Sequence, residues 1–482
     1  MLDFSINSSD ITLREGTAVS NIDGRLWSEV GIDCARYFSD EAIVRARCAI
    51  EARYLITLSE EKVIRKFTSK EIKELLNIHK KITKETYLDL RKIESVYRHD
   101  LLAMTEIFKF FLKKSSLKDV VEAGWVHWGL TTEDIDNLSH ALLMKSFVET
   151  IYLPKAAELL LAISGLAERC KNVVIPGKTH LQSAVPTSLG KEIALFGARL
   201  AEVFLEIKDI EHRGKLTGAV GNLSAHRFSL PTTDWRKFSN NFIKSLGLTP
   251  NLYTTQTEPR NKRVELFQKL HLVNTVLIDF SQDMRIMTGF DWLVQLSQKT
   301  EYGSSAMPQK VNPIDFENSQ GNAYFANWIL EGLVRQIAIS WLQRDLTDKT
   351  IHRNYGVLMG HCMITLLSAM KGVSRVNPNL DKIKKDLEED WSIVSEGIQT
   401  YLRFKGKADA YETLKKMTRG KDITKNDIKK WIKVCKLDKE SKSRLFELSP
   451  GNYLGYAKEN CREMISKIKK TAGKLYYLNN NG

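Results

Sequence analysis

The stretch that decides the fold lies between two long apolar-periodic segments and reads Gly303-Ser304-Ser305-Ala306-Met307-Pro308-Gln309-Lys310-Val311-Asn312-Pro313-Ile314-Asp315-Phe316-Glu317-Asn318. In the flanking segments, residues 260–296 and 314–342, apolar side chains recur three and four positions apart, which is the spacing of one helix face. Gly303 frees the backbone, and Pro308 disfavours helix at the residue before it. We therefore predict a loop between two long helices.

The end of this loop is predicted to begin a helix. Asn312 is a good N-cap, Pro313 suits the first helical position, and Asp315 suits the positive end of the helix dipole. That end attracts anions, and Lys310 adds to the attraction. A pair of serines on such a loop could act on a carbon next to a bound carboxylate. The alternative is an ordinary polar loop between helices.

Length and composition limit the classes of protein to which the chain can belong. The chain has 482 residues, of which 43% are apolar and 27% charged, so we expect a globular protein of two or three domains. No uninterrupted apolar run is long enough to span a bilayer. The first twenty residues lack a basic region followed by an apolar region, so we predict no secretory signal, no membrane partner and a cytoplasmic location.

Cysteine spacing and net charge exclude some functions. The six cysteines are scattered without a Cys-x-x-Cys pair, which predicts reduced thiols and no metal site. The net charge of +14 allows either nucleic-acid binding or a basic surface with pockets for an anionic substrate. The lysines of residues 405–442 alternate with apolar residues at helical spacing, which is typical of solvated helix faces. We therefore predict no nucleic-acid partner.

Periodicity predicts an all-α fold of three helical domains, in which a long central bundle carries the 303–318 loop. The predicted domains are residues 1–120, 121–374 and 375–482. The long amphipathic helices suit a bundle with apolar faces buried between subunits. The predicted helices are residues 41–64, 69–82, 86–113, 133–171, 188–212, 260–296, 314–342 and 351–372.

Five further polar groups are candidate site residues, and each has an ordinary alternative. Arg25 follows a turn, where a surface charge is common. The trio 98–100 lies inside a predicted helix, where charges are usually solvated or paired. Thr131 with Asp134 marks a helix N-terminus and could be only a cap. His180, in a predicted loop, and Gln256, in a turn, could be exposed polar side chains.

A sixth candidate is the charged stretch that follows Trp341. Arg344, Lys349, Thr350 and Arg353 surround a predicted helix start, a combination that suits a phosphate group. A charged turn between helices is the alternative, and composition alone does not choose between them.

Several of these stretches resemble one enzyme family. Residues 303–313 closely resemble Gly-Ser-Ser-x-Met-Pro-x-Lys-x-Asn-Pro, the signature of the fumarase/aspartase superfamily, and residues 314–318 look like its adenylosuccinate lyase branch. Residues 131–137 are similar to Thr-Ser-x-Asp-Ile-x-Asn, and residues 344–353 to Arg-Asp-Leu-Thr-Asp-Ser-Thr-x-x-Arg. The resemblance runs from Asp23 to about Tyr456.

Two stretches depart from the family pattern. Around the histidine, the family has Thr-His-Gly-Gln-Pro-Ala-Thr-Pro-Thr, whereas this chain has Leu181, Ser183 and Val185 in place of glycine, proline and threonine. Leu26 stands where the family has a substrate-binding tyrosine. The loss of a glycine and a proline beside His180 predicts a changed loop geometry there. Leu26 could contact the substrate only through its backbone or by apolar contact.

The resemblance implies a β-elimination that releases fumarate from succinylated purine nucleotides, without cofactor or metal. It also implies a homotetramer whose active sites are each assembled from three subunits. Ser304 is then the base and His180 the acid, with Ser305 as the alternative base. The implied substrate-binding residues are Arg25, Leu26, Arg98, His99, Asp100, Thr131, Thr132, Gln256, Ser305, Lys310, Asn312, Asn318, Arg344, Lys349, Thr350, Ile351, His352 and Arg353.

Three other functions compete with this interpretation. Another elimination enzyme, such as argininosuccinate lyase or fumarase, is disfavoured by the 344–353 stretch, because those substrates carry no phosphate. A non-catalytic helical oligomer is disfavoured by the joint presence of His180, Ser304, Lys310 and Asn312. A nucleic-acid-binding protein rests on net charge alone and predicts steeply salt-dependent binding.

Overall fold

The computed structural model describes residues 17–296, 306–307, 309–420 and 423–476, and most of them are helical. The helices are α1 (Ile32–Phe38), α2 (Asp40–Glu60), α3 (Ser69–Asn77), α4 (Lys84–Tyr97), α5 (Asp100–Lys113), α6 (Lys118–Glu122), α7 (Thr132–Phe147), α8 (Leu153–Cys170), α9 (Leu189–Lys208), α10 (Ser224–Ser229), α11 (Trp235–Ser245), α12 (Asn261–Gly289), α13 (Ile314–Gln336), α14 (Thr347–His352), α15 (Tyr355–Ser374), α16 (Leu380–Glu389), α17 (Ser395–Phe404), α18 (Ala410–Thr418), α19 (Lys425–Val434), α20 (Lys439–Glu447) and α21 (Ala457–Tyr476). The predicted all-α fold class is confirmed.

Short strands pair in three places. β1 (Val174–Thr179) and β2 (Gln182–Ser188) form an antiparallel hairpin, with Val174 opposite Ser188. β3 (Arg213–Gly214) pairs in parallel with β4 (Thr249–Pro250), and β5 (Leu293–Gln295) pairs antiparallel with β6 (Val376–Pro378). The hairpin corrects the sequence prediction, which placed residues 177–187 in a loop.

Five long helices close into a bundle, in which α8, α9, α12, α13 and α15 each pack against two neighbours in that order around the ring. A π-helical turn, Val148–Tyr152, joins α7 to α8 in one continuous helical run. α21 lies against α8 and α9. It approaches so closely that a Cβ on Gly197 of α9 would lie 2.7 Å from Cδ1 of Ile468, so any larger residue there would require the Ile468 side chain to move.

The buried apolar side chains form two clusters. The larger runs from Ile22 to Ile383 and also takes in one face of α21, from Cys461 to Leu475. The smaller lies between Trp391 and Leu445, where α17 to α20 pack on one another. The last helix of the chain thus contributes to the central core, while the predicted boundaries at residues 120 and 374 remain a prediction.

Several predicted helix bounds are wrong, and the largest error concerns residues 86–113. The spacing of Leu90, Ile93, Tyr97, Leu101 and Met104 predicted one helix, but α4 and α5 are separate helices with a break at residues 98 and 99. An apolar face can continue across a break when the two helices pack on the same core. The first long flanking helix also ends early, at Gly289, because β5 follows.

Among the described residues, two helical runs are long enough and apolar enough to cross a membrane, judged by length and composition alone. They are Thr132–Cys170 and Thr347–Ser374, and 61% and 72% of their most apolar windows are buried inside the molecule. Each packs against other helices of the same chain. Core helices of soluble proteins pass the same test, so the two runs are weak indications of a membrane span.

The cysteine thiols are unpaired and largely buried. All six cysteines are free, five of them are buried, and Cys435 is half-buried. Burial raises the pKa of Cys362 to about 12 and that of Cys170 to about 11. Such thiols stay protonated and unreactive at neutral pH.

Candidate active site

The charged trio 98–100 lies at the break between α4 and α5. Arg98 has a left-handed backbone with a φ of 52°. His99 then caps α5, because its Nδ1 atom accepts a hydrogen bond from the backbone N–H of Leu102 at 3.3 Å. A ring nitrogen that accepts carries no proton, so the proton of the neutral imidazole lies on Nε2. The cap thus leaves Nε2–H as the free donor of His99.

The N-terminus of α7 is fixed by the predicted cap. The N–H of Thr131 donates to Asp134 Oδ2 at 2.9 Å, and Asp134 Oδ1 lies 2.8 Å from the Nζ of Lys215. Asp134 and Lys215 are both completely buried, so this ion pair is structural. The side chains of Thr131 and Thr132 lie half-buried at the first turn of the helix.

A cavity of about 270 Å³ opens where α2, α4, α5, α7 and α14 meet. Its wall brings together five of the predicted substrate-binding residues, namely Asp100, Arg344, Lys349, His352 and Arg353. Five further polar residues line it from α2 and α7, namely Asp40, Arg47, Glu133, Asp136 and His140. Stretches more than two hundred residues apart in sequence therefore meet in one place.

Two cations and two carboxylates alternate on one side of the cavity. Arg47 lies 2.9 Å from Asp100 Oδ2 through Nη2 and 2.8 Å from Asp136 Oδ1 through Nε. Lys349 Nζ lies 3.4 Å from Asp100 Oδ1 and 3.8 Å from Asp136 Oδ2. Burial alone would raise the pKa of Asp100, but the charges of Arg47 and Lys349 outweigh it and hold that pKa well below its usual range.

A second group of charges lies beside the first. Arg344 Nη1 lies 3.0 Å from Glu133 Oε2 and 3.1 Å from Asp348 Oδ2. Arg260 Nη2 lies 2.9 Å from Glu133 Oε1 and also pairs with Asp348. Burial raises the pKa of Glu133 although both guanidinium groups act to lower it. An anionic ligand in this cavity must therefore compete with carboxylates for Arg344.

Two histidines stack at the same cavity. The ring centroids of His140 and His352 lie 4.5 Å apart, and that of Tyr355 lies 5.3 Å from His352. Burial and the surrounding cations lower the pKa of both histidines well below the usual value. They are therefore neutral at physiological pH and add no charge to the cavity.

His180 lies at the tip of the β1–β2 hairpin. Thr179 pairs with Gln182, so His180 and Leu181 form a two-residue turn, in which their φ angles are 52° and 61°. Both side chains are exposed. Turns of this kind favour glycine at the second position, so a leucine there is strained. Below the tip, Lys178 Nζ donates to Ser183 Oγ at 3.0 Å.

The hairpin borders a different cavity, of about 640 Å³, which it forms with the end of α12 and the turn before α21. That cavity shares no lining residue with the one at Arg344. Within the part of the chain that the structure describes, His180 is therefore not brought to the cavity that holds Asp100 and Lys349.

The 303–318 stretch is described only in part. Ser304 and Ser305 lie outside the described residues. The N–H of Lys310 donates to the carbonyl of Met307 at 3.1 Å, which closes a turn after the serine pair. α13 begins at Ile314 with Pro313 as its N-cap, so the predicted cap at Asn312 is one residue too early.

The remaining predicted residues have separate surroundings. Arg25 is exposed, and Leu26 packs on the larger apolar cluster. The N–H of Gln256 donates to the carbonyl of Gln343 at 3.2 Å, which places its turn beside the 344–353 stretch. Asn318, an exposed residue of α13, donates through Nδ2 to Ser368 Oγ of α15 at 2.7 Å.

The other residues predicted from the 344–353 stretch lie on α14 or directly after it. Thr350 is exposed, and its carbonyl accepts from the side chain of Asn354 at 2.8 Å. Ile351 packs on the larger apolar cluster. Arg353 is exposed but reaches the wall of the cavity. α14 thus divides its side chains between the core and the cavity.

Among the residues that the structure describes, no three or more histidine, cysteine, aspartate or glutamate side chains lie close enough together to hold a metal ion.

Comparison with known proteins decides the family. A family model described as lyase matches residues 35–325, more than half of the chain, and a second, described as adenylosuccinate lyase C-terminal, matches residues 340–454. The adenylosuccinate lyase of Escherichia coli (strain K12) is 38% identical over 451 residues, which cover 92% of this chain and 97% of that protein. That of Vibrio cholerae is also 38% identical, over 455 residues that cover 92% and 98%.

This chain belongs to the adenylosuccinate lyase family. It is therefore a lyase of the fumarase superfamily, as the resemblance in its sequence predicts.

Solved structures show that the adenylosuccinate lyase family fold is shared more widely. A fumarate lyase from Mesorhizobium sp. BNC1 is similar with a TM-score of 0.72 at 18% identity, over 90% of this chain and 97% of that one. A 3-carboxy-cis,cis-muconate lactonizing enzyme from Pseudomonas putida is similar with a TM-score of 0.73 at 18% identity, over 91% and 97%. At this identity the likeness establishes the fold alone.

Reasoning from the sequence missed five polar residues that surround the predicted cations of this adenylosuccinate lyase family member and their carboxylate partners. They are Arg47, Glu133, Asp136, His140 and Arg260. A signal for Arg47 exists, because it is one of four charged residues, with Arg45, Glu51 and Arg53, in the mostly apolar segment 42–58, and a buried charge in such a segment needs a partner. The partner cannot be read from the sequence, since Asp136 lies almost ninety residues away.

Proposed function

We propose that this chain catalyses the β-elimination of fumarate from adenylosuccinate, which leaves AMP. We propose the same reaction on the succinylated aminoimidazole carboxamide ribotide, which leaves the carboxamide ribotide of purine biosynthesis. Membership of the family supports the reaction. The observation that carries the proposal is that Asp100, Arg344, Lys349 and Arg353 line one cavity.

The cations of that cavity suit the nucleotide phosphate. Arg344 and Arg353 present planar forks of donors that match phosphate oxygens, and Lys349 adds a point charge between them. Arg25 adds a further guanidinium in the assembled enzyme. Because carboxylates hold Arg344 and Lys349 in the free protein, phosphate binding exchanges one set of anionic partners for another.

The elimination needs a base and an acid on opposite sides of the breaking bond. Ser304 takes the proton from the carbon next to one carboxylate of the succinyl group, and Ser305, the next residue in the sequence, is the alternative base. His180 gives a proton to the leaving nitrogen, for which an imidazole is suited near neutral pH. His99 presents its free Nε2–H and positions or shares that proton.

The two carboxylates of the succinyl group need donors. Lys310 and Asn312, on the loop before α13, hold the carboxylate where negative charge builds up as the proton leaves. Thr131 and Thr132, at the first turn of α7, hold the other. The remaining predicted contacts, namely Leu26, Arg98, Gln256, Asn318, Thr350 and Ile351, position the nucleotide or the loops around it.

The active site is proposed to form between subunits of a homotetramer, with three chains contributing to each site. The exposed tip at His180 and the separate cavity at Arg344 support this, because one chain does not join them. α13 also carries an aromatic face, in which Tyr324, Phe325 and Trp328 are 45%, 42% and 68% exposed. Exposed aromatic side chains on a long helix are typical of a subunit interface.

No cofactor is needed, since elimination transfers only protons and breaks one carbon–nitrogen bond. The proposed setting is the cytoplasm, with small-molecule substrates and no nucleic-acid or membrane partner.

Turnover of adenylosuccinate, followed by ultraviolet absorbance, tests this function. The wild type is expected to produce fumarate and AMP, and His180→Ala and Ser304→Ala are expected to lose nearly all activity. Ser443→Ala and His271→Ala change the same residue types at sites outside the proposed machinery, and both should keep wild-type activity. Argininosuccinate and malate serve as control substrates. A folded tetramer without turnover of adenylosuccinate would contradict the proposal.

A further inference from the structure

Asp100 stands between a cavity cation and the histidine that caps α5. Its Oδ1 atom lies 3.4 Å from Lys349 Nζ and 3.9 Å from His99 Nδ1. Its Oδ2 atom is held separately by Arg47 at 2.9 Å. The Oδ1 atom also accepts the backbone N–H of Leu101 at 2.9 Å. Lys349 and the ring of His99 therefore both lie near one carboxylate oxygen, to which a backbone donor is also bound.

The Nδ1 atom of His99 has two competing partners. In the observed arrangement it accepts the N–H of Leu102 at 3.3 Å, which requires an unprotonated Nδ1. If Nδ1 gains a proton it can no longer accept, and its natural partner becomes Asp100 Oδ1. The charge left uncompensated on that oxygen decides between the two arrangements.

Lys349 controls that charge. With Lys349 in place, Asp100 has a cation on each oxygen, and its attraction for a protonated imidazole is weak. If a phosphate group draws Lys349 into the cavity, Oδ1 loses its cation while Oδ2 keeps Arg47. A lysine at this position is particular to this chain, because the family stretch quoted above has serine where this chain has Lys349.

We propose that Lys349 is a positioning residue that transmits phosphate occupancy of the cavity to His99 through Asp100. The inference rests on the proposed function, since it assigns the phosphate to this cavity. Phosphate binding turns His99 from a neutral helix cap into an imidazolium paired with Asp100, and the proton comes from solvent. Both ring nitrogens are then donors, so Nε2–H becomes a stronger acid beside the leaving group.

The other charges around Asp100 and in the cavity do not replace Lys349. α2 contributes Arg47, which Asp136 of α7 also holds at 2.8 Å. The remaining charged groups at the cavity are Asp40 of α2, Arg91 and Glu94 of α4, Glu133 of α7, Arg344 before α14 and Arg353 after it. Glu133 is occupied by two guanidinium groups, and Arg91 pairs with Glu94. Lys349 differs from these cations in two ways. It contacts Asp100, and neither of its two carboxylate contacts is shorter than 3.4 Å.

The experiment measures the protonation of His99 directly. Diethylpyrocarbonate reacts with the neutral form of a histidine side chain and not with its protonated form. Peptide mass spectrometry measures the rate at which His99 is modified between pH 5 and 8. The pH of half-maximal rate is compared with and without saturating inorganic phosphate. His271, a partly exposed histidine on α12, is the internal reference. No turnover is required, so failure of the proposed reaction and failure of this coupling are distinguishable.

In the wild type, phosphate should raise the half-maximal pH of His99 by roughly half a pH unit or more, because a neighbouring carboxylate loses its cation. In Lys349→Met that pH should already be raised without phosphate and should change little when phosphate is added. Lys349→Arg should restore the dependence on phosphate. Lys382→Met, at an exposed ion pair on α16, is the matched control and should behave as the wild type.

Two results would overturn the inference. One is an unchanged half-maximal pH in the wild type at saturating phosphate. The other is an equal upward shift in the wild type and in Lys349→Met, which would show that the field of the phosphate itself acts on His99 without Lys349.

Discussion

At the scale of single residues, the turn that carries His180 holds backbone strain. Leu181 has a φ of 61°, in the left-handed region, and its side chain is 60% exposed. A left-handed conformation costs an L-residue roughly 1–2 kcal/mol, and glycine avoids the cost. Strain at a site residue is a reason to look for a role in function.

We therefore predict that Leu181→Gly stabilises the hairpin. The gain is expected to be about 0.5–1 kcal/mol, because relief of the left-handed strain exceeds the added chain entropy of glycine in the unfolded state. The measurement is the thermal midpoint of unfolding. Leu181→Ala removes the same exposed side chain but keeps a Cβ at positive φ, so it should bring no gain. A lower midpoint in Leu181→Gly would show that the leucine side chain outweighs the strain.

A second prediction at this scale concerns the buried histidines. Burial lowers the pKa of His352 well below its unfolded value of about 6.5. Below that value the unfolded chain binds a proton that the folded protein does not, so the stability present above pH 6.5 is lost as the pH falls. His352→Leu removes one such group. Its thermal midpoint should fall less steeply between pH 7 and 5 than that of the wild type, whereas His271→Ala should keep the wild-type slope.

At the scale of elements, helix ends place the site residues. His99 begins α5, Thr131 begins α7, and the 344–353 stretch contains α14. Each end leaves backbone donors or acceptors that side chains or ligands satisfy. The polar residues of the site are thus at places where the backbone itself needs partners.

The cap at His99 gives a prediction that separates structure from chemistry. His99→Asn keeps an N-cap acceptor and His99→Ala removes it, so the alanine variant should be less stable by about 1 kcal/mol. Both variants lose the imidazole, and both should lose activity to a similar extent. Thermal midpoints and turnover rates measured on the same preparations check this. Equal stabilities would contradict the capping role, while full activity in His99→Asn would contradict the role in proton transfer.

The sequence predicts elements better than it predicts their ends. The cap at Thr131 and the long helices of the bundle follow from periodicity and capping residues. The break at Arg98 does not, because the apolar spacing continues across it and no glycine or proline marks it. The hairpin at residues 174–188 was missed because its turn lacks the glycine that usually signals one.

Sequence motifs identified several residues of the candidate site, but they did not predict how these residues lie relative to one another. Motifs identified Asp100, Arg344 and Lys349, which line one cavity. They could not identify Arg47 or Glu133, because a buried ion pair depends on long-range packing that local patterns do not encode. Whether His180 joins that cavity depends on assembly, which is a property of several chains.

At the scale of the whole molecule, the aromatic face of α13 is the feature that needs an explanation. Trp328 is 68% exposed on a central helix of the bundle, next to Phe325. Burial of such a side chain is worth about 1.5–3 kcal/mol. The proposed tetramer provides that burial.

We predict that Trp328→Glu disrupts the tetramer and abolishes activity, because it places a charge in an apolar interface. Analytical ultracentrifugation should show species of lower mass. Phe404→Glu is the matched control, since Phe404 is 81% exposed at the end of α17, outside the bundle, and this variant should keep both mass and activity. An intact, active Trp328→Glu tetramer would place the interface elsewhere.

The most direct test of the central claim mixes two inactive variants. His180→Ala and Ser304→Ala are dissociated together, reassembled and assayed with adenylosuccinate, while native mass spectrometry verifies that mixed tetramers form. If the acid and the base of each site come from different subunits, random mixing restores both residues in roughly a quarter of the sites. We expect activity to return to about that fraction. Mixed tetramers as inactive as their parents would contradict an elimination site shared between subunits.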